Sequence, residues 1–144
     1  MTTHTLETRI AEVPIFTTLR LRVLNSGEGT ASLIAEYDRS LDGAFDSFHG
    51  GLLTTLADTA AWVAVLTLTG ADAVIATTDM NIRFLAPCRT HAKAEAKVIK
   101  FGRTLCPVSV DIHDARGAKV AVAQVTYMRL ESSQVLQSQG RTSA

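Results

Sequence analysis

The chain has 144 residues, the length of a single domain, and its 14 basic and 14 acidic side chains give a formal net charge of zero. This balance argues against a nucleic-acid-binding protein, because such proteins usually carry a strong positive field. Hydrophobic residues make up 47% of the chain, which is enough to bury a core.

The cysteine and histidine content gives no sign of a metal centre. The two cysteines, Cys88 and Cys106, are too few for a disulfide framework or a metal cluster, and each lies next to a proline. The N-terminal stretch "MTTHTLETRIAEVP" lacks the apolar segment of a signal peptide. We therefore expect reduced thiols, a cytoplasmic location and no metal.

The N-terminal part of the chain predicts a short helix followed by a hairpin. Residues 5–13 have an amphipathic pattern that stops before Pro14. Residues 17–25 alternate apolar and polar side chains, as a half-buried strand does, and residues 30–38 read as a second strand after the turn "SGEG". A loop rich in Asp, Gly and Ser follows.

Residues 48–67, "FHGGLLTTLADTAAWVAVLT", predict a long apolar helix that ends near Gly70. The stretch approaches the length of a membrane span. Asp58 in its middle, several threonines and the lack of flanking basic residues argue against that reading. We expect a core helix and no membrane association.

Four strand-like runs follow the helix, separated by turn residues. They are residues 73–86, 90–100, 104–113 and 118–130. The order of elements predicts an α+β fold, in which an antiparallel sheet of about six strands wraps around the long helix. We expect one domain over residues 1–144, with a core at about 15–130 and a frayed polar tail at 132–144.

Asp58 is the only charged residue between Gly51 and Ala71, and a buried charge needs a partner. One interpretation is structural: on a helix, Thr54 and Thr55 share the face of Asp58, and either of them or a backbone group could satisfy its carboxylate. The other interpretation is functional, because a carboxylate in an apolar wall suits a general base or a nucleophile. The sequence leaves both open.

Gly50 and Gly51 lie where the long helix begins, so their amides belong to the unpaired N–H groups of its first turn. Such amides can form an oxyanion hole or an anion site, or the glycines only permit a tight turn. From residue 50 to Asp58 a helix rises roughly 12 Å. One small reacting group therefore cannot contact both the Gly50 amide and the Asp58 carboxylate of the same helix. If both act on one substrate, they must come from different subunits, which predicts a dimer with shared sites.

Residues 49–60, "HGGLLTTLADTA", resemble the signature of the hotdog-fold acyl-CoA thioesterases, in particular the phenylacetyl-CoA thioesterase-like branch. In that branch HGG opens the central helix and an Asp follows nine residues after the His. Three more stretches match in family order: "TTDMNIRFLAP" (77–87), "GRTLCPVSVDIHD" (102–114) and "GAKVAVAQVTYM" (117–128). The resemblance covers roughly residues 15–130 and implies the hotdog fold.

The resemblance implies hydrolysis of an acyl-CoA thioester with an aromatic or a short to medium-chain acyl group. Asp58 would be the general base or nucleophile, and the Gly50 amide would polarise the thioester carbonyl. His49 would orient the reacting group, and Thr77 would position water. Homodimers with shared sites that pair into tetramers are usual in the family, and no cofactor is needed beyond the CoA of the substrate.

The resemblance also suggests residues that bind substrate and its CoA part, where arginine suits phosphate because of its planar fork. The candidates are Gly51, Arg39, Arg89, Gly102, Arg103 and Thr104. Each arginine could equally be a solvated surface residue.

One position departs from the family pattern. Relatives usually carry an Asn six residues before the motif histidine, and here that position is Gly43, with Asp42 and Asp46 nearby. An ionised acid cannot donate a hydrogen bond to a carbonyl oxygen. A non-hydrolytic acyl-CoA-binding or regulatory protein on the same fold is therefore the alternative. A hydratase or dehydratase of the fold fits the motif spacing poorly.

Overall fold

The structure is a computed structural model that describes residues 4–130. The expected frayed tail lies outside the described residues. Within them, the predicted architecture is confirmed: one long helix packs against a six-stranded antiparallel sheet, preceded by short helices.

The chain opens with two short helices where the sequence predicted one. Helix α1 spans Leu6–Ala11 and is capped by the Thr5 side chain, which accepts from the Thr8 N–H. Helix α2 spans Pro14–Thr18. Proline is favoured at a first helical position because its fixed φ suits the helix and its missing N–H is not needed there.

The strand predicted to begin at residue 17 begins only at Leu21, so that boundary was wrong. Residues 17 and 18 belong to α2, and Phe16 of the same helix is buried in the core. The alternation of apolar and polar residues that predicted the strand extends upstream into α2. This pattern alone does not distinguish the end of the helix from the start of the strand.

The six strands form one sheet in the order β1-β2-β4-β5-β6-β3, with every neighbouring pair antiparallel. Their bounds are β1 Leu21–Gly27, β2 Thr30–Ala35, β3 Val74–Phe84, β4 Ala92–Val98, β5 Leu105–His113 and β6 Lys119–Leu130. Strands β1 and β3 are the two edges. A short 3-10 turn, Arg39–Leu41, leads from β2 toward the long helix.

Helix α3 spans Gly50–Thr69 and contacts all six strands, which explains why it has no broad polar face. Its length and mean hydropathy of 1.5 would suffice for a membrane span, but 56% of its most apolar stretch is buried inside this fold. Leu56, Val63 and Val65 are wholly buried against the sheet. A core helix accounts for the apolar sequence.

Candidate active site

Asp58 lies in the middle of α3 and is half-buried. Its Oδ1 accepts two hydrogen bonds from the sheet, from the Thr77 hydroxyl at 2.8 Å and from the Tyr127 hydroxyl at 2.8 Å. The Tyr127 hydroxyl also lies 2.9 Å from the Asp58 backbone carbonyl oxygen. The carboxylate is thus held in one orientation by groups from β3 and β6.

Tyr127 is suited to this role because it stays a phenol. The ring is 4% exposed, and burial raises the pKa of Tyr127, which the neighbouring Asp58 carboxylate raises further. Because its pKa is raised, the hydroxyl stays protonated at neutral pH and donates a hydrogen bond to Asp58.

The helix threonines do not satisfy Asp58, so the structural interpretation based on Thr54 and Thr55 was wrong. The Thr54 hydroxyl donates to the Gly50 carbonyl at 2.8 Å, and the Thr55 hydroxyl donates to the Gly51 carbonyl at 3.0 Å. Both bond to the backbone one turn back, as helix threonines commonly do. The partners of Asp58 come from the sheet.

A β-bulge directs Thr77 toward Asp58. The register of β3 against β6 shifts between Thr77 and Asp79, which leaves Thr78 out of the ladder. Beyond the bulge, Met80 and Ile82 pack against the core, so strict alternation would point Thr78 inward and Thr77 outward. The extra residue reverses the alternation and places Thr77 on the helix side.

His49 caps the N-terminus of α3. Its Nδ1 accepts from the Gly51 N–H at 2.8 Å, so in the neutral ring the proton lies on Nε2. The Gly51 amide, one of the expected substrate ligands, is therefore already used. Among residues 4–130 no acceptor takes the Gly50 N–H, so this amide is free to donate a hydrogen bond to a ligand.

Gly50 packs closely under an aromatic ring. A Cβ at this position would lie 3.1 Å from the tip of the Phe84 ring, although Phe84 itself is 52% exposed and has room to move. With Leu53 and Pro87, these two residues line an open cavity of about 440 Å³. The cavity gives a ligand access to the start of the helix.

The position that departs from the family pattern, Gly43, closes a small loop: its N–H donates to the Ser47 carbonyl at 2.8 Å. The neighbouring Asp42 accepts from the Tyr37 hydroxyl at 2.7 Å through Oδ2. Its Oδ1 is buried and has no donor among residues 4–130. Asp42 and His49 line one cavity of about 360 Å³, so an acid stands beside the helix start.

The expected substrate ligands fall at two ends of the fold. Arg39 precedes the helix start, and an Arg89 Nη lies 3.5 Å from the Phe45 carbonyl in the loop that leads to His49. Both arginines are exposed.

Residues 102–104 lie just before β5, next to the end of β6 that follows Tyr127. The Thr104 carbonyl accepts from the Arg129 N–H at 2.8 Å, and in the next strand Cys106 pairs with Tyr127. Arg103 is exposed there. Gly102 has no space for a side chain because a Cβ would collide with the Leu105 carbonyl, which is a structural reason for the glycine.

Tyr127 was not predicted from the sequence. Its signal was a phenol at an inward-facing position of β6 whose buried neighbours are apolar, since a buried hydroxyl needs a partner. Among residues 4–130, no group of three or more His, Cys, Asp and Glu side chains could hold a metal ion.

Comparison with known proteins gives the family of this chain. Residues 45–121, more than half of the chain, match the profile described as the thioesterase superfamily. The human acyl-coenzyme A thioesterase 13 is 30% identical over 111 residues, which cover 74% of this chain and 78% of the relative. A Halobacterium salinarum protein that carries an esterase name is 36% identical over 87 residues, 55% of this chain and 58% of that protein.

Solved structures give the same answer. A thioesterase family protein from Silicibacter pomeroyi superposes with a TM-score of 0.82 at 27% identity, over 87% of this chain and 95% of that one. The resemblance to hotdog-fold acyl-CoA thioesterases drawn from the motifs is confirmed. The chain belongs to the thioesterase superfamily, whose chemistry is the hydrolysis of thioesters.

Proposed function

We propose that this protein hydrolyses acyl-CoA thioesters to a free acid and CoA, with Asp58 as general base. The observation that carries the proposal is the half-buried Asp58 carboxylate, fixed through Oδ1 by Thr77 and Tyr127. Since both hydroxyls donate to Oδ1, Oδ2 can accept a proton from water. The Thr77 oxygen keeps a lone pair that can accept from the same water and hold it in place.

In the proposed reaction the water oxygen forms a bond to the thioester carbon while its proton passes to Asp58. The carbonyl oxygen takes up the negative charge and is stabilised by the Gly50 N–H at the positive end of the helix. The C–S bond then breaks, and the leaving thiolate takes the proton from Asp58. His49, with a proton on Nε2, would orient the acyl carbonyl.

The geometry of β3 supports a site shared between two subunits. Its outer edge is unpaired among the described residues, most of its side chains are exposed, and Phe84 and Leu85 at its end are 52% and 57% exposed. A long open edge strand is a template for pairing with another chain. Thr77 lies toward one end of the strand and Phe84, beside Gly50, at the other.

Antiparallel pairing of two β3 strands about a twofold axis would bring the Thr77 end of one subunit to the Phe84 end of its partner. Asp58 would then face the helix start of the other subunit, which removes the separation of roughly 12 Å along one helix. We also propose that the enzyme is cytoplasmic and that its dimers pair into tetramers.

A second candidate is a non-hydrolytic acyl-CoA-binding protein. Asp42 favours it, because a carboxylate at this point of the site cannot donate to the thioester oxygen as an amide would.

The test is release of free thiol from a panel of aliphatic and aromatic acyl-CoAs. We expect wild type to hydrolyse part of the panel and Asp58→Ala to lose about a thousandfold, in the range for a general base. Asp111→Ala, which removes a half-exposed acid paired with Lys119, is the matched control. Calorimetric binding of acyl-CoA with no thiol released by wild type would favour the binding protein instead.

A further inference from the structure

A cavity of about 310 Å³ lies between the N-terminal helices and α3. It is lined by Arg9, Val13, Ile15, Thr59, Trp62 and Tyr127. Thr59 follows Asp58 in the chain, and the Tyr127 hydroxyl donates to the Asp58 carboxylate. The cavity therefore adjoins the group that the proposed reaction uses.

The walls of the cavity are mostly apolar. Trp62 packs on buried Phe16 with ring centroids 6.4 Å apart and planes tilted by 55°. On the other side the Arg9 guanidinium lies 5.9 Å from the centre of the indole. Val13 and Ile15 complete an apolar wall that suits the hydrocarbon part of an acyl group.

Arg9 is the charged residue in this lining. Its Nη1 lies 3.5 Å from Glu12 Oε2, an exposed pair of the kind that contributes little to stability. The guanidinium has several N–H donors, so most remain available to a ligand. Because Glu12 offsets the positive charge, a neutral oxygen gains a hydrogen bond from Arg9, whereas a carboxylate would also be repelled by Glu12.

Arg9, Val13 and Ile15 lie upstream of residues 45–121, the part that matches the family profile. Helix α1 is also tied in place by His4, whose Nδ1 lies 2.7 Å from Asp72 and whose Nε2 lies 3.0 Å from Glu12. This wall of the cavity is therefore held in place by side-chain contacts, and it lies outside the region that matches the superfamily profile.

We propose that this cavity holds the acyl group and that Arg9 selects acyl groups with a neutral oxygen acceptor, such as a hydroxyl, at their far end. The assignment rests on the proposed hydrolysis of acyl-CoA. Arg9 is here a specificity-determining residue, and Trp62 forms the wall along which the hydrocarbon part packs.

The test compares three substrates of equal chain length that differ only in the terminal group: hexanoyl-CoA, 6-hydroxyhexanoyl-CoA and adipoyl-CoA. We expect the highest kcat/KM with the hydroxyl substrate. In Arg9→Met, which keeps the stem and removes the donors, the ratio of kcat/KM for 6-hydroxyhexanoyl-CoA to that for hexanoyl-CoA should fall about tenfold, mainly through KM. Arg9→Lys, with fewer donors, should give a smaller fall.

Arg22→Met is the matched control, since Arg22 pairs with Glu36 on the exposed face of β1 and lies outside the cavity. It should keep the wild-type ratio. Trp62→Leu should lower kcat/KM for hexanoyl-CoA and 6-hydroxyhexanoyl-CoA to a similar extent, because it removes wall rather than a donor. Thermal unfolding of each variant checks that it is folded.

Three results would overturn the inference while Asp58→Ala remains inactive, and these leave the proposed function in place. They are an unchanged substrate ratio in Arg9→Met, unchanged kinetics in Trp62→Leu, and adipoyl-CoA as the best substrate of wild type. If wild type hydrolyses neither these substrates nor any other acyl-CoA of the panel, the proposed function and the inference both fail.

Discussion

The start of α3, at Gly50, and its middle, at Asp58, offer different groups to a ligand. At Asp58 the carboxylate is oriented by two hydroxyls from the sheet, and no free backbone amide is available in the middle of a helix. At the helix start the Gly50 amide is free among the described residues, while His49 is engaged in capping. In the proposed reaction, each end therefore supplies a group that the other end lacks.

The largest effect short of removing Asp58 is expected from deleting the free amide. Gly50→Pro removes the N–H at a first helical position, which proline tolerates, and His49 already has an extended conformation compatible with a following proline. We expect kcat to fall by about a hundredfold or more, as for loss of an oxyanion donor.

Gly50→Ala is the control for that experiment. It makes the same close contact with Phe84 as proline would but keeps the N–H. A loss in alanine as large as in proline would assign the effect to crowding and would contradict the role of the amide.

Mixed dimers test whether the two ends complement each other across subunits. Asp58→Ala and Gly50→Pro subunits, each inactive alone, should recover about a quarter of wild-type activity when mixed equally, because half of the dimers then hold one intact site. The measurement is thiol release after refolding or co-expression with two affinity tags. If both residues acted within one subunit, the mixture would stay inactive.

A smaller effect is expected from Tyr127→Phe, which leaves Asp58 held by Thr77 alone. Loss of the phenol should lower kcat about tenfold and the free energy of unfolding by about 1–2 kcal/mol. Steady-state kinetics and urea unfolding measure the two. An unchanged kcat with lowered stability would make Tyr127 a purely structural residue.

The smallest expected effect is a pH dependence of thermal stability that arises from His4, which attaches α1 to the rest of the fold. Hydrogen bonds to Asp72 and then Glu12 raise the pKa of His4 above its ordinary value. A raised pKa in the folded state stabilises the fold below the unfolded value of about 6.5 and loses this contribution as pH rises through the folded value. The Tm of wild type should therefore fall relative to that of His4→Ala between pH 6 and pH 8, and parallel curves would contradict this.

Local sequence patterns predict the helix and its acid, but they do not predict the partners of that acid. The long helix, its single acid and the four strands after it were predicted, because apolar periodicity and turn residues are local signals. The partners of Asp58 lie 19 and 69 residues away, and no local pattern relates them to the helix. The resemblance supplied Thr77 but not Tyr127, and α2 was hidden because one helical turn and a strand start can share a pattern.

The bulge in β3 has a consequence for how this chain can change length. Thr78 serves as a spacer that brings the two halves of the strand into opposite phase, so that Thr77 and Met80 can both face the helix. Without Thr78, Thr77 and Met80 would lie two positions apart, and a regular strand places such residues on the same face. Deleting this one residue would therefore close the bulge and leave Thr77 facing the helix. Variants with one residue fewer between Thr77 and Met80 should therefore keep the same side chains facing the helix on a regular strand, so alignments of this segment should accept a one-residue gap.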